Sequence, residues 1–193
     1  MYSTEPNIIV GFHGCSKEIG LRVLNGEDTL IFSHNNYDWL GDGVYFWEND
    51  PLRAEEFAVE TKKENPFVLG AAIHLGYCLD LTQKEGIDVI RHAYENLIED
   101  NLKASLANKE GKRGGITGDL PLRFLDCAVI RAIHSFNEAM GYRAYDSVKA
   151  AFWEGAELYP TAGFREKNHI QLCIRNPHCI LGYFLPNRKM NLF

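Results

Sequence analysis

Residues 7–12 have the sequence NIIVGF and run directly into HGCS at positions 13–16. A short apolar run rich in β-branched residues is typical of a buried strand, so the sequence predicts a strand that ends at His13. Ser16 is a favoured N-cap residue, and apolar residues recur at helical spacing from Ile19 onward. The chain is therefore expected to start with a strand and a short helix, with a polar His-Gly step between them.

A second aromatic and β-branched run, VYFW at residues 44–47, also has the composition of a strand. A polar, turn-rich loop precedes it at residues 33–43. Asp50 follows as a predicted N-cap, with Pro51 at the first helical position, so we expect a helix that continues to about residue 63. The pattern of strand, polar loop, strand and helix fills the first third of the chain.

The rest of the chain predicts further strands and helices. Strands are predicted at 29–32, at 67–81 as one long strand or two joined at a bulge, and at 144–153, 168–175 and 179–185; helices at 86–106 and 122–139; and a glycine-rich loop at 108–120. Strands at both ends with helices between them indicate an α+β fold. A length of 193 residues fits a single domain over residues 1–193.

Composition excludes several functional classes. The net charge of −6 argues against a general polyanion-binding or membrane-surface protein. No apolar run approaches the length of a spanning helix, and the first residues do not resemble a secretory signal. The 5 cysteines form no Cys-x-x-Cys pair, which favours a reducing, cytoplasmic location. The 7 histidines show no ligand spacing, so no metal is expected, and no P-loop motif occurs.

Three short strings together resemble the catalytic domain of the poly(ADP-ribose) polymerase-like ADP-ribosyltransferases. They are FHG at residues 12–14, GVYF at residues 43–46 and AAIHLGY at residues 71–77. In that family a strand ends in His-Gly, a second strand carries Gly-Ile-Tyr-Phe before a helix, and a later strand ends in Leu-Gly. The resemblance spans residues 9–176. It implies a split antiparallel β-sheet core with peripheral helices, and NAD as co-substrate.

The resemblance implies roles for individual residues. His13 is expected to bond a ribose hydroxyl of NAD, the Gly14 backbone to approach the nicotinamide amide, and Tyr45 to stack on the nicotinamide ring. Counting back from Asn176-Pro177 places Gln171 where the family has a catalytic glutamate. Because glutamine is uncharged and cannot act as a base, transfer of a single ADP-ribose is expected rather than extension of an ADP-ribose polymer. Glu154 is the first choice for the missing carboxylate.

The remaining expected contacts lie around the donor site. The helix after Tyr45 lacks the family's Ser and Tyr, so Phe57 is expected to supply a second stacking face. Arg53 is expected to pair with the NAD pyrophosphate or with a polyanionic acceptor, because its planar fork suits phosphate. Further cofactor contacts are expected at Cys15, Ser33, Asn35 and Tyr37. A catalytic thiol at Cys15 is an alternative.

The resemblance therefore implies an NAD-dependent mono-ADP-ribosyltransferase. It would cleave the nicotinamide–ribose bond and modify a macromolecular acceptor, either protein or nucleic acid, without a membrane partner. Small stand-alone members of the family often act as toxins or defence effectors, which would add a neutralising antitoxin as a partner. Two alternatives stay open: a tRNA 2′-phosphotransferase-like enzyme, and a non-catalytic module that binds NAD or ADP-ribose.

Overall fold

The computed structural model describes residues 8–61, 65–110 and 119–187. The strands are β1 (Ile9–Ser16), β2 (Val44–Glu48), β3 (Pro66–Ile73), β4 (Cys78–Asp80), β5 (Ser147–Phe152), β6 (His169–Ile174) and β7 (Ile180–Phe184). The helices are α1 (Lys17–Leu24), α2 (Pro51–Glu60), α3 (Lys84–Asn96), α4 (Asp100–Ser105) and α5 (Phe124–Ala139). The predicted α+β class is confirmed.

The strands form one sheet of 7 strands in the order β4-β5-β6-β2-β1-β3-β7. Neighbouring strands are antiparallel except for β4 and β5, which run parallel, so the sheet departs from the expected split antiparallel core at that edge. Strand β1 pairs with β3 over its whole length, from Ile9 to Ser16, whereas it pairs with β2 only at Gly11 and Phe12. The two central strands therefore part beyond Phe12.

The two faces of the sheet carry different helices. On one face, Val23 of α1 packs with Cys15 and Phe67. On the other face, Ala54 of α2 packs with Trp47 and Val68 over one half of the sheet. Helices α3 and α5 cover the other half of that face, where their apolar residues pack on β4, β5 and β6. The centre of this second face, over β2 and β6, lies between the two groups of helices.

Both predicted N-caps are confirmed. The Ser16 hydroxyl accepts a hydrogen bond from the Ile19 amide at 3.4 Å, and the Asp50 carboxylate accepts one from the Arg53 amide at 3.0 Å. Each side chain satisfies an amide that the first turn of a helix leaves unpaired. The starts of α1 and α2 are therefore encoded locally.

Several predicted boundaries are corrected. Residues 29–32 form no strand, although Ser33 and Gly43 make an isolated bridge. The run at 67–81 divides into β3 and β4, which lie at different places in the sheet, because the chain turns at Gly76 with φ of 64°. The helix predicted at 86–106 divides into α3 and α4. Most of the predicted loop at 108–120 lies outside the described residues.

Candidate functional site

His13 lies where β1 and β2 part. Its Nδ1 is 2.8 Å from the Tyr45 carbonyl oxygen. Because a carbonyl can only accept, Nδ1 carries the proton and donates it, and in the neutral ring Nε2 then carries the lone pair. The imidazole thus ties the two central strands together where their ladder has ended.

Tyr45 faces the other side of the sheet from His13. The His13 ring lies 5.7 Å from the ring of Phe46, and side chains of successive strand residues point to opposite faces. The Tyr45 ring packs with the cluster under α3 and α5, and its hydroxyl donates to the Gly41 carbonyl at 2.6 Å while accepting from the Leu40 amide at 2.9 Å. Burial raises the pKa of this phenol strongly. The expectation that His13 and Tyr45 hold NAD from one shared cleft is therefore wrong.

Gly14 and Cys15 have structural explanations. A Cβ on Gly14 would collide with the Ala54 carbonyl of α2, so the missing side chain serves the close approach of that helix. Cys15 is 2% exposed and packs in the core beneath α1. The predicted cofactor contact and the alternative of a catalytic thiol at Cys15 are both wrong, because the thiol packs with Val23 and Phe67 on the face of the sheet opposite the one that carries Tyr45.

Other predicted residues meet on the face that carries Tyr45, between α2 and α5. We call this group of side chains the seam. It comprises Trp39, Trp47, Arg53, Arg123, Phe152, Glu154, His169 and Gln171. Three of the residues proposed from sequence, Arg53, Glu154 and Gln171, belong to it. The fold brings them together although they are far apart in the chain.

The floor of the seam contains polar atoms without partners. Trp47 and Gln171 are directly opposite each other on β2 and β6, and His169 lies two residues before Gln171 on the same face. Among the described residues, Trp47 Nε1, Gln171 Oε1 and His169 Nε2 have no hydrogen-bond partner. These residues are 4%, 9% and 8% exposed, respectively. Buried polar atoms are nearly always paired, so these three atoms leave hydrogen-bonding capacity at the floor that a ligand or ordered water can fill.

His169 has a defined protonation state. Its Nδ1 is 2.9 Å from the Lys167 carbonyl, so Nδ1 donates and Nε2 carries the lone pair. Burial lowers the pKa of His169, which favours the neutral ring. Its Nδ1 also lies 3.6 Å from a carboxylate oxygen of Glu154. The unpartnered Nε2 is therefore an acceptor.

Two arginines and one carboxylate form the rim. Arg53 Nη2 donates to Glu154 at 3.0 Å, and burial raises the pKa of Glu154 while the Arg53 charge opposes that rise. The Arg123 guanidinium lies 4.7 Å from the ring centre of Trp39 and 5.6 Å from that of Phe152. Within the described chain the Nε atoms of both arginines are buried and unpaired. The rim therefore offers cationic donors beside aromatic faces.

Of the remaining predicted contacts, Phe57 borders the seam and the loop residues lie outside it. The Phe57 ring is 5.0 Å from the Trp47 ring, so Phe57 borders the seam through Trp47 and not through Tyr45. Asn35 donates to the Ser33 hydroxyl at 3.0 Å, and the Tyr37 ring lies 5.9 Å from that of Phe124. These loop residues bond to each other and to the start of α5, and none of their described contacts is with an orphaned atom of the floor.

Sequence reasoning missed Trp47, His169, Trp39 and Arg123. Strand alternation could have found the first two, since Trp47 is two residues from Tyr45 and His169 two from Gln171, on the faces predicted to carry the site. Trp39 lies in the polar loop before β2 and belongs to none of the three strings that carry the resemblance. Arg123 gives no local signal, because its role depends on how α5 packs.

Other kinds of site find no support in the described ranges. No group of three or more His, Cys, Asp or Glu side chains is placed to hold a metal ion. The helices of the described residues include none with the length and apolar character to cross a membrane. A separate cavity of about 330 Å³ opens between α3 and α5, lined in part by Val89, Ile133 and Tyr142.

Comparison with known proteins gives one distant relative. The chain is 23% identical over 186 residues to the uncharacterized protein MJ0359 of Methanocaldococcus jannaschii, covering 88% of this chain and 83% of that protein. No family model matches the chain, and no solved structure matches it.

Proposed function

We propose that the chain is an NAD-dependent mono-ADP-ribosyltransferase that acts at the seam. The observation that carries the proposal is the convergence of Arg53, Glu154 and Gln171 around the unpartnered polar atoms of the floor. From the resemblance the proposal keeps the Gln171 position on β6, whereas His13 and Tyr45 lie on opposite faces of the sheet and do not support it. A cytoplasmic protein or nucleic acid is the proposed acceptor, and a neutralising antitoxin belongs to the proposal if the modification is toxic.

The chemistry of the seam matches that of a dinucleotide. The rings of Trp39 and Phe152 pack edge to face with the Arg123 guanidinium beside them, and such aromatic rings are the kind that a pyridine ring packs against. Arginine guanidinium groups such as those of Arg53 and Arg123 suit diphosphate oxygens. Gln171 supplies an acceptor for a ribose hydroxyl. Ring, sugar and diphosphate of NAD thus each have a complementary group.

The reaction requires stabilisation of a sugar cation. The bond between ribose C1 and the nicotinamide nitrogen breaks, nicotinamide leaves with the electron pair, and C1 becomes an oxocarbenium centre. An acceptor nucleophile then bonds to C1 and loses its proton. Glu154 is the carboxylate of the seam, so its negative charge is the group that opposes the positive charge developing at C1. His13 is a positioning residue in this scheme, because its bond to the Tyr45 carbonyl fixes β2.

Labelled NAD tests the proposal. The purified protein is incubated with NAD labelled in the adenylate part together with protein, RNA and DNA fractions, and nicotinamide release is measured. Glu154→Gln removes the charge and is expected to lower release at least tenfold, a loss of about 1.4 kcal/mol of transition-state stabilisation. Glu157→Gln, in the same loop, is the matched control and should leave release unchanged. Equal release by both variants contradicts the role of Glu154.

A second variant pair examines the diphosphate contact. Arg53→Ala is expected to raise the KM for NAD, whereas Arg91→Ala should not. Arg91 is a suitable control because it is a helix arginine outside the seam whose guanidinium pairs with a carboxylate one helical turn away, that of Asp88, at 2.8 Å. If both variants keep the KM of the native chain, Arg53 does not bind the diphosphate.

A non-catalytic NAD-binding module is the second candidate. Two observations favour it: Gln171 has no charge, and Glu154 is already neutralised by Arg53 at 3.0 Å. Measurable NAD binding by calorimetry without nicotinamide release in any acceptor fraction would establish this candidate instead of the transferase.

A further inference from the structure

The cavity of about 330 Å³ between α3 and α5 is separate from the seam, and none of the described residues lines both. Val89 and Ala93 of α3 and Leu97 directly after it face the cavity at every fourth position, and Ile133 and Phe136 face it from α5. The apolar stripes of these two helices therefore leave a space between them. Its volume lies at the lower end of the range for small-molecule sites.

Two aromatic rings stand at the opening of this cavity. The ring centres of Phe136 and Tyr142 are 6.0 Å apart, and the two residues are 40% and 59% exposed. Gly141 ends α5 with φ of 68°, and the turn lets the Tyr142 amide donate to the Asn137 carbonyl at 2.8 Å. The turn thus holds the Tyr142 ring beside the cavity. A ligand that covers these rings gains the free energy of burying their apolar surface.

Tyr145 lines the cavity as a wall that is already ordered. Its ring stacks on that of Tyr77, with the ring centres 4.6 Å apart and 9° between the planes. Burial, together with a hydrogen bond to Tyr77, raises the pKa of Tyr145 to about 12, so the phenol is neutral at physiological pH. Because Tyr77 fixes this ring, a ligand that packs on it does not have to order it first.

Two amides at the cavity offer hydrogen-bond acceptors. Asn96 Nδ2 donates to the His92 carbonyl at 2.8 Å, and Asn137 Nδ2 donates to the Arg143 carbonyl at 3.4 Å. Both nitrogens are thus held to the backbone, while in the described chain neither Oδ1 atom has a donor. No Asp, Glu, Lys or Arg among the described residues lines the cavity. An ion would lose hydration there without a compensating charge, whereas a neutral N–H would find an acceptor.

We propose that this cavity binds a neutral, flat aromatic heterocycle that carries a ring N–H. The ring packs among Phe136, Tyr142 and Tyr145, and its N–H donates to an Oδ1 atom of Asn96 or Asn137. At the packing density of protein interiors, about 0.74, the cavity accommodates about 240 Å³ of ligand atoms, which is enough for two fused rings with a short substituent. A dinucleotide does not suit the cavity, because no lysine or arginine of its described lining meets a diphosphate. The site is independent of the proposed transferase activity.

Indole and benzofuran test the proposal, because they have nearly the same shape and differ in the ring N–H. In titrations followed by NMR, indole is expected to bind saturably with a Kd below about 1 mM. It should bind about fivefold more tightly than benzofuran, which is the difference that one hydrogen bond makes. Absence of saturable indole binding overturns the site, and equal binding of the two probes overturns the donor. Indole-3-carboxylate should bind more weakly than indole, and equal or tighter binding overturns the neutral ligand.

Phe136→Ala tests the position of the aromatic ring. The variant removes one wall and is expected to weaken indole binding at least fivefold. Tyr94→Ala is the matched control, because Tyr94 lies on α3, is 41% exposed and is outside the described lining of the cavity. Indole binding that is unchanged by Phe136→Ala, or weakened equally by both substitutions, contradicts the proposal.

A double variant tests the two acceptors. Asn96→Ala combined with Asn137→Ala removes both Oδ1 atoms and should abolish the preference for indole over benzofuran, while benzofuran binding persists. A preference that survives the double substitution shows that neither amide receives the N–H.

A readout in the native chain does not depend on any variant folding. The methyl resonances of Val89, Leu97 and Ile133 are expected to shift on addition of indole, whereas those of Val23, which packs beneath α1, should stay in place. Indole shifts that leave the three cavity residues unchanged overturn the location. Nicotinamide release is not measured in these experiments, so their failure and that of the transferase proposal are distinguishable.

Discussion

At the scale of single residues, the aromatic side chains near the seam differ in whether their polar atoms have hydrogen-bond partners. Trp39 and Trp47 are both packed aromatic residues, but only Trp39 has a partner for its indole nitrogen among the described residues. Tyr45 was predicted as functional from its motif, yet its hydroxyl is fully engaged with the backbone at Leu40 and Gly41. Residue type and motif suggested Tyr45, whereas hydrogen bonding points to Trp47.

Tyr45→Phe tests the structural role of this hydroxyl. The substitution leaves the Leu40 amide and the Gly41 carbonyl without their partner, so it is expected to lower the free energy of unfolding by about 1–3 kcal/mol. Urea denaturation measures the change. Nicotinamide release per folded molecule should stay within about twofold of the native value. A large loss of release at unchanged stability would restore Tyr45 as a catalytic residue.

His134 is expected to make stability depend on pH. Its ring is largely buried, neither nitrogen has a partner among the described residues, and burial together with the charge of Arg175 lowers its pKa from 6.5 to about 4. Between these values the unfolded chain binds a proton that the folded chain does not. Titration of His134 therefore does not lower the free energy of unfolding above pH 6.5. As the pH falls below that value it lowers this free energy, by on the order of 3 kcal/mol at pH 4.

His134→Leu checks this dependence. The variant should lack the His134 contribution to the acid loss, so its free energy of unfolding should fall less between pH 6.5 and 4 than that of the native chain. Chemical denaturation across that range gives the comparison. If the free energy of unfolding falls equally in the two proteins over this range, the pKa of His134 is not lowered by burial in the folded chain.

At the scale of elements, local sequence predicted helix starts and strand faces, and tertiary contacts decided the rest. Ser16 and Asp50 cap helices through bonds to residues three positions away, so the sequence contained the whole interaction. The division of β3 from β4 depends on a turn at Gly76, where a Cβ would collide with Asp146. The sequence around Gly76 contains no signal for this contact, because Asp146 is distant in the chain.

Gly14 illustrates the same limit and gives an element-scale prediction. Gly14→Ala should push α2 away from β1, because the new methyl group meets the Ala54 carbonyl, and should cost about 1–3 kcal/mol of stability. Gly182→Ala in β7 is the matched control, since nothing lies within 4 Å of a Cβ there. Thermal unfolding of both variants provides the measurement. Equal Tm values would show that α2 does not need the close approach.

At the scale of the whole molecule, the sheet order creates the seam. Because β6 lies beside β2, Gln171 comes opposite Trp47, and the strand pair β5–β6 brings Glu154 to Arg53 of α2. The sequence indicated Gln171, Glu154 and Arg53 one by one through the resemblance and through chemistry. Their convergence on one face, and the placement of His13 on the other, follow from strand order and register, which no local pattern encodes.

A crystal structure of the protein with NAD is the most direct measurement of the central claim. The account predicts the dinucleotide between α2 and α5, with ribose hydroxyls within hydrogen-bond distance of His169 Nε2 and Gln171 Oε1 and the diphosphate at Arg53. A dinucleotide bound instead in the cavity between α3 and α5, or against the face that carries His13, would contradict it.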